Sequence, residues 1–314
     1  MRGIIIEQYG GPEVQQLRDD LPRPVACAGH VSVRVVCAGL NFMDVLTRRG
    51  HYARSSTYPV SLPCTLGMEG AGEVIEVGEG VTHLAIGDRV VWCTVWGSFA
   101  EIASIPAALA ARLPDDIGFD VAAAAMFQGC TTHYLIHDTA RLQPGDQVLV
   151  HAAAGAIGQL LVQMAKRRGS TVFTTASTAE KRAVALACGA DHAFAYDDGG
   201  FAEAVRAATG GRGVDVVFDA VGRTTLRGSL RAARTRGLVV NYGAVSGTVN
   251  DLDPVELGEA GSLFLCRPRL ADHMADATTV QRRADEVFSA VREGALRIEI
   301  ATHTISTKWA RGSP

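Results

Sequence analysis

The chain has 314 residues, 47% of them hydrophobic and 20% charged, with a formal net charge of −3. That length suits two domains in a globular chain of ordinary composition. The near-neutral charge excludes a basic nucleic-acid surface or a polybasic membrane patch. No run approaches the roughly 20 apolar residues of a membrane span, and Ile4–Ile6 is too short for a secretory leader, so a cytoplasmic location is expected. The seven cysteines form no C-x-x-C pair and read as small buried apolar residues, not as a disulfide framework.

Residues 1 to about 120 read as β-rich and glycine-punctuated. Val31–Val36 and Gly72–Gly78 alternate as strands, Asp88–Trp92 is a third, and the glycines at 67, 70, 72, 78, 80 and 87 mark tight turns. An alanine-rich helix is expected at 121–136. After the turn Leu142–Asp146, strands and helices alternate. Strands are expected at Gln147–His151, Thr171–Thr175, Asp191–Phe194, Val214–Asp219, Gly237–Gly243 and Ser262–Cys266, and helices at 156–168, 179–188 and 200–208. Apolar strands alternating with helices imply a parallel sheet covered on both faces, hence an α/β protein with a doubly wound sheet.

The turn Ala152-Ala153-Ala154-Gly155-Ala156-Ile157-Gly158 follows one strand and opens a helix. Small residues allow close approach of a pyrophosphate, and a helix N-terminus offers free N–H groups and partial positive charge. A lone glycine pattern is weak, but here strand, turn, helix and next strand fall at the spacing of a dinucleotide-binding βαβ unit. NAD enzymes usually carry Asp or Glu at the tip of the second strand. This chain has Thr174-Thr175-Ala176-Ser177-Thr178, then Lys181 and Arg182, donors suited to a 2′-phosphate. NADPH is therefore the expected cofactor.

The segment Gly145–Gly158, with Gln163 and Lys166, resembles the cofactor signature of zeta-crystallin-type quinone oxidoreductases in the medium-chain dehydrogenase/reductase superfamily. Here Ala156 stands where the family usually has glycine. Further matches are Gly10–Val14, Gly39–Asp44, Arg49–Tyr52, Gly67–Gly72 and Gly261–Pro268. The resemblance implies a GroES-like β-rich catalytic domain, 1–124 and 267–314, around a Rossmann NADPH domain, 125–266. It implies cofactor contacts from Asn41, Thr131, Ala154, Gly155, Ala156, Ile157, Gly158, Ser177, Val221, Asn241, Tyr242, Gly243 and Phe264, with Lys181 and Tyr196 on the 2′-phosphate. It also implies a homodimer joined through the Rossmann-domain edge strand, which hides an open edge.

The resemblance also bears on metal. Zinc-dependent relatives use Cys and His ligands, and zinc needs three or four N or S donors. Here Asn41 stands at the cysteine position, the G-H-E motif reads Gly67-Met68-Glu69, and no cysteine lobe separates Cys93 from Gly97–Glu101. No metal is expected. Without zinc to hold an alkoxide, the expected reaction is hydride transfer from NADPH to a small quinone or α,β-unsaturated carbonyl. Asn41 and Tyr52 are the candidate catalytic donors. Leu46 replaces a tyrosine common in the family. An enoyl-thioester reductase and a weakly catalytic NADPH-binding structural or redox-sensing protein stay open as alternatives. The end of the chain departs from the family pattern, so residues after about 302 are expected to be poorly ordered.

Overall fold

A computed structural model describes residues 1–195 and 200–300. The expectations for Tyr196 and for the residues after about 302 fall outside this range. The described chain forms two compact units. The first comprises 1–130, 273–292 and the residues from 298; the second comprises 131–272 and 293–297.

The first unit is built on antiparallel strands. β1 (Gly3–Ile6), β2 (Gln16–Arg18), β3 (His30–Ala38), α1 (Phe42–Arg48), β4 (Cys64–Thr65), β5 (Glu69–Val77), β6 (Arg89–Cys93), β7 (Ile102–Pro106) and β8 (Ala110–Arg112) follow in order, then α2 (Phe119–Tyr134). One sheet runs β7-β3-β5-β6-β8 and a smaller one β2-β1-β4. The alternation read at Val31–Val36 has a packing cause: Val31 and Val33 are buried against Val74, Val90, Trp92 and Ile105, while Arg34 faces solvent. A second cluster of Ile4, Ile6, Val14, Leu66 and Phe99 fills the space beside β1. Strands as short as β2, β4 and β8 carry too few residues for a period of two to register.

The second unit is a parallel sheet. It contains β9 (Gln147–Val150), α3 (Ala156–Arg167), β10 (Thr171–Thr175), α4 (Ala179–Ala187), β11 (His192–Phe194), α5 (Phe201–Ala208), β12 (Val214–Asp219), α6 (Leu226–Ala232), β13 (Ala233–Asn241), α7 (Pro254–Glu259) and β14 (Phe264–Cys266); α8 (Ala277–Arg292) returns to the first unit. The strand order is β11-β10-β9-β12-β13-β14, every pairing parallel. This is the doubly wound order, and it reverses between β9 and β12, where such sheets take ligands beyond the strands' carboxyl ends. Leu149, Phe173, Val217 and Val239 pack with Phe201, Val205, Leu226 and Leu230 of α5 and α6.

β13 begins at Ala233, four residues ahead of the expected start at Gly237. Arg236 takes φ +58 and donates its amide to the Gly261 carbonyl at 2.8 Å, and pairing with β12 slips between Val214 and Val216. This irregularity breaks the apolar pattern, so only the stretch after Gly237 looks like a strand in the sequence. The helix expected at 121–136 ends at Tyr134 and continues as a wider π-type turn over Leu135–Ala140.

Candidate active site

In the parallel unit, the turn after β9 puts Ala152 at φ +51 and reaches α3 through Gly155 as N-cap, with no side chain capping the helix. The first-turn amides of a helix have no partner within it, and here Gly155 and Ala156 are exposed. A Cβ on Gly158 would lie 2.5 Å from the Ala152 carbonyl oxygen and 2.7 Å from Ala153 Cα, so glycine is what lets α3 close on the turn. Ala153 N–H donates to the Thr175 carbonyl at 3.2 Å, tying the turn to the end of β10. Beyond β10, Thr178 caps α4 by accepting from Lys181 N–H, Lys181 Nζ stands 3.5 Å from Ser177 Oγ, and Arg182 donates to the Ala176 carbonyl. Thr131 is 4% exposed, and its hydroxyl has no partner among the described residues. A bare helix N-terminus, a hydroxyl-and-lysine loop and an orphaned buried hydroxyl suit a phosphorylated dinucleotide.

The remaining predicted residues of this unit follow the next strands. Val221 is buried in the loop after β12. Asn241 Nδ2 donates to the Asp219 carbonyl at 3.2 Å and to the Gly243 carbonyl at 3.1 Å, and Tyr242 N–H donates to the Asp219 carbonyl at 3.0 Å. A Cβ on Gly243 would meet the Ala220 carbonyl at 2.3 Å, so these two loops touch through backbone. Phe264 is 58% exposed on β14, at the sheet's edge. Gln163 and Lys166, two further residues of the signature, hold the scaffold. Gln163 exchanges hydrogen bonds with the backbone of Arg297, and Lys166 pairs with Asp191 at 2.8 Å.

The antiparallel unit carries a polar group of its own. Asn41 N-caps α1, and its backbone N–H donates to Asp44 Oδ2 at 2.8 Å. Its carboxamide is held from both sides: Nδ2 donates to Glu69 Oε2 at 2.8 Å, and Oδ1 accepts from Gln128 Nε2 at 3.0 Å. Glu69 Oε1 also accepts the Phe127 N–H of α2. A Cβ on Gly39 would come within 2.5 Å of the Ala123 carbonyl and 2.6 Å of Glu69 Oε2, so glycine there gives the carboxylate its room. Burial pushes Glu69 up to about 8 against the pull of the Asn41 amide and the Phe127 N–H. Burial also raises Asp44 to about 7, against the amides of Asn41, Gly67 and Met68. Tyr52 belongs to an aromatic group, 5.8 Å from Tyr58 and 6.4 Å from Trp96 between ring centroids.

Sequence reasoning found Asn41 but missed Glu69 and Gln128 as its partners. The one available signal was a glutamate inside an otherwise small and apolar strand start, Gly67–Gly72. Cys130, beside Thr131, is fully buried, and burial pushes its thiol up to about 12, so it offers no ready thiolate.

The chain matches the family model of the alcohol dehydrogenase GroES-like domain over residues 27–115 and that of the zinc-binding dehydrogenases over 156–263. It is 37% identical over 299 residues to quinone oxidoreductase 1 of Escherichia coli K12, covering 95% of this chain and 90% of that protein. The chain belongs to the zeta-crystallin-like quinone oxidoreductases of the medium-chain dehydrogenase/reductase superfamily. Another relative, 2-haloacrylate reductase from a Burkholderia species, is 37% identical over 307 residues, with 95% and 90% of the two chains covered. Among solved structures, Escherichia coli quinone oxidoreductase complexed with NADPH superposes with a TM-score of 0.90 at 36% identity, covering 96% of this chain and 91% of that one.

The second family model is named for zinc, and the residues here do not fit that ion. Among the described residues no group of three or more His, Cys, Asp or Glu could hold a metal. The Asn41 amide nitrogen is a donor to Glu69, and Met68 is a fully buried thioether. Zinc takes deprotonated N, S or carboxylate ligands in a tight tetrahedral set, and Asn41 and Met68 offer it neither a thiolate nor an imidazole.

Proposed function

We propose that this chain is an NADPH-dependent reductase of quinones and α,β-unsaturated carbonyls. The observation that carries this reading is the uncapped glycine turn into α3, paired with a β10 tip, Thr174–Ser177, that bears hydroxyls and no carboxylate and is followed by Lys181 in α4. An acidic strand tip would hold a ribose 2′-hydroxyl; hydroxyls and an ammonium suit a 2′-phosphate. We assign Ala154, Gly155, Ala156, Ile157 and Gly158 to the pyrophosphate. Ser177 and Lys181, with Tyr196, take the 2′-phosphate. Thr131, Val221, Asn241, Tyr242, Gly243 and Phe264 contact the rest of the cofactor. When bound, NADPH supplies a hydride, two electrons and one hydrogen, and a proton from water completes the hydroquinone or saturated carbonyl.

We assign to Asn41 and Tyr52 the task of steadying oxygen charge on the substrate. The Asn41 carboxamide spends one Nδ2 hydrogen on Glu69 and its oxygen on Gln128, which leaves the second Nδ2–H at a fixed angle for a carbonyl or developing enolate. Leu46 and the aromatic group of Tyr52, Tyr58 and Trp96 favour flat, apolar substrates. A homodimer through β14 remains part of this reading, since Phe264 leaves an apolar ring on an open strand edge.

The test is NADPH oxidation with 1,4-benzoquinone, 9,10-phenanthrenequinone and simple enones, with NADH as the control. Turnover with quinones and a clear preference for NADPH supports the reading. Tight NADPH binding with no oxidation across the panel would select a non-catalytic role instead.

A further inference from the structure

Asp219 ends β12 fully buried, and four donors converge on its carboxylate. Oδ1 accepts the Val221 N–H at 2.8 Å and the Gly222 N–H at 2.9 Å. The Thr225 hydroxyl lies 2.8 Å from Oδ1 and 2.9 Å from Oδ2, and the Ser229 hydroxyl donates to Oδ2 at 2.8 Å. The backbone carbonyl of the same residue accepts from Tyr242 N–H at 3.0 Å, from Gly243 N–H at 3.3 Å and from Asn241 Nδ2 at 3.2 Å. One residue thus fixes the loop after β12 with its side chain and the loop after β13 with its main chain.

The chain of bonds continues to the other half of the sheet. His151 Nε2 lies 3.0 Å from Ser229 Oγ, and Nδ1 lies 2.6 Å from Thr175 Oγ1. A serine hydroxyl has one hydrogen. If it goes to Asp219, His151 must donate from Nε2 and accept from Thr175 at Nδ1. Burial lowers the His151 pKa, in keeping with this neutral tautomer. The ends of β9, β10 and β12 are therefore tied through hydrogen bonds that run toward one carboxylate, and the end of β13 is tied to the backbone carbonyl of the same residue.

We propose that Asp219 is the positioning residue of the cofactor site: its carboxylate and carbonyl hold the loops after β12 and β13 in the shape that receives the nicotinamide half of the dinucleotide. This rests on the NADPH reading above. Doubly wound sheets divide a dinucleotide between two mononucleotide halves, with the glycine turn and the 2′-position in the first. Asp219 lies in the second half, so its loss distinguishes the whole cofactor from an adenosine fragment.

The experiment compares calorimetric affinities for NADPH and for 2′,5′-ADP, with melting curves, in the full-length chain and in Asp219→Asn, Thr225→Val and Thr225→Ser. An asparagine amide nitrogen cannot accept, so Asp219→Asn is expected to weaken NADPH about tenfold or more and to leave 2′,5′-ADP within about twofold. Thr225→Val keeps the shape, removes one donor and keeps the test open should Asp219→Asn not fold; a loss of about three- to tenfold for NADPH alone is expected. Thr225→Ser restores the hydroxyl and should restore affinity. Unchanged NADPH affinity in both disruptive variants, or equal losses for NADPH and 2′,5′-ADP, would overturn the proposal. A wild-type chain that binds neither ligand would instead overturn the cofactor reading beneath it.

Discussion

Among the described residues each unit buries one acid completely, and the two are satisfied in opposite ways. Asp219 takes its donors from residues 2, 3, 6 and 10 positions away along the chain. Glu69 takes its two from residues 28 and 58 positions away. The first is a local motif, built by a strand, its loop and the helix that follows. The second exists only after α1, β5 and α2 have packed. With two donors set against the cost of burial, Glu69 is pushed up to about 8. The parallel sheet thus satisfies its buried acid from sequence neighbours, whereas the antiparallel unit draws its donors from distant parts of the chain.

The comparison breaks most visibly at the glycine turn. Gly158→Val places carbon atoms where the Ala152 and Ala153 backbone already lies, and overpacking of this kind costs about 1–3 kcal/mol or more. NADPH affinity measured by calorimetry is expected to fall by about 100-fold, through distortion of the turn alone. Retained affinity would mean that α3 and its turn do not carry the cofactor.

Next in size is Glu69→Ala, which frees the Asn41 carboxamide and strands the Phe127 N–H in a buried place. Leaving buried partners unsatisfied costs about 1–3 kcal/mol of stability. A mispositioned donor is expected to lower kcat/KM for a quinone by about 10- to 100-fold. Binding of 2′,5′-ADP should be untouched. If the variant melts lower yet turns over as the wild type does, Asn41 does not depend on its support for any catalytic task.

Lys181→Ala sharpens the other side of the comparison, where the proposed contact to the cofactor comes from an exposed side chain and no buried network is involved. Loss of one charge-assisted contact is expected to weaken NADPH by about tenfold, with NADH unchanged. Equal effects on both nucleotides would remove Lys181 from the 2′-phosphate.

The locality of these contacts explains what could be read in advance. The six-stranded sheet announced itself through continuous apolar strands such as Val214–Phe218, and the turn Ala152–Gly158 through spacing alone, because their determinants are neighbours in sequence. Asn41 and Tyr52 were found by resemblance, as was the GroES-like unit, since β2, β4 and β8 are too short to show a period. Glu69 and Gln128 were invisible as partners of Asn41: hydrogen bonds spanning 28 and 87 residues leave no periodicity. Asp219 read as one more strand end, because a sequence does not reveal that two amides and two hydroxyls converge on it.

The smallest expected effect is a pH dependence of stability that belongs to the antiparallel unit. Burial raises Glu69 from 4.5 to about 8 and Asp44 from 3.8 to about 7. Between those limits the folded chain holds protons that the unfolded chain has released, so stability falls as pH rises. The contribution is complete below about pH 4 and is lost as pH passes through 7 to 8. Other acids act elsewhere: although burial works to raise Asp215, Arg212, Arg234 and the Gln147 N–H hold it at about 2, so its stabilising effect is lost only in strong acid. Melting temperatures of the wild type should therefore drop between pH 5.5 and 8.5, corresponding to on the order of 1–3 kcal/mol. Glu69→Gln, which cannot ionise, should reduce that slope to the part that Asp44 contributes. Parallel slopes in the wild type and Glu69→Gln would show that Glu69 titrates as an ordinary carboxylate and that the contrast between the two acids is one of wiring alone.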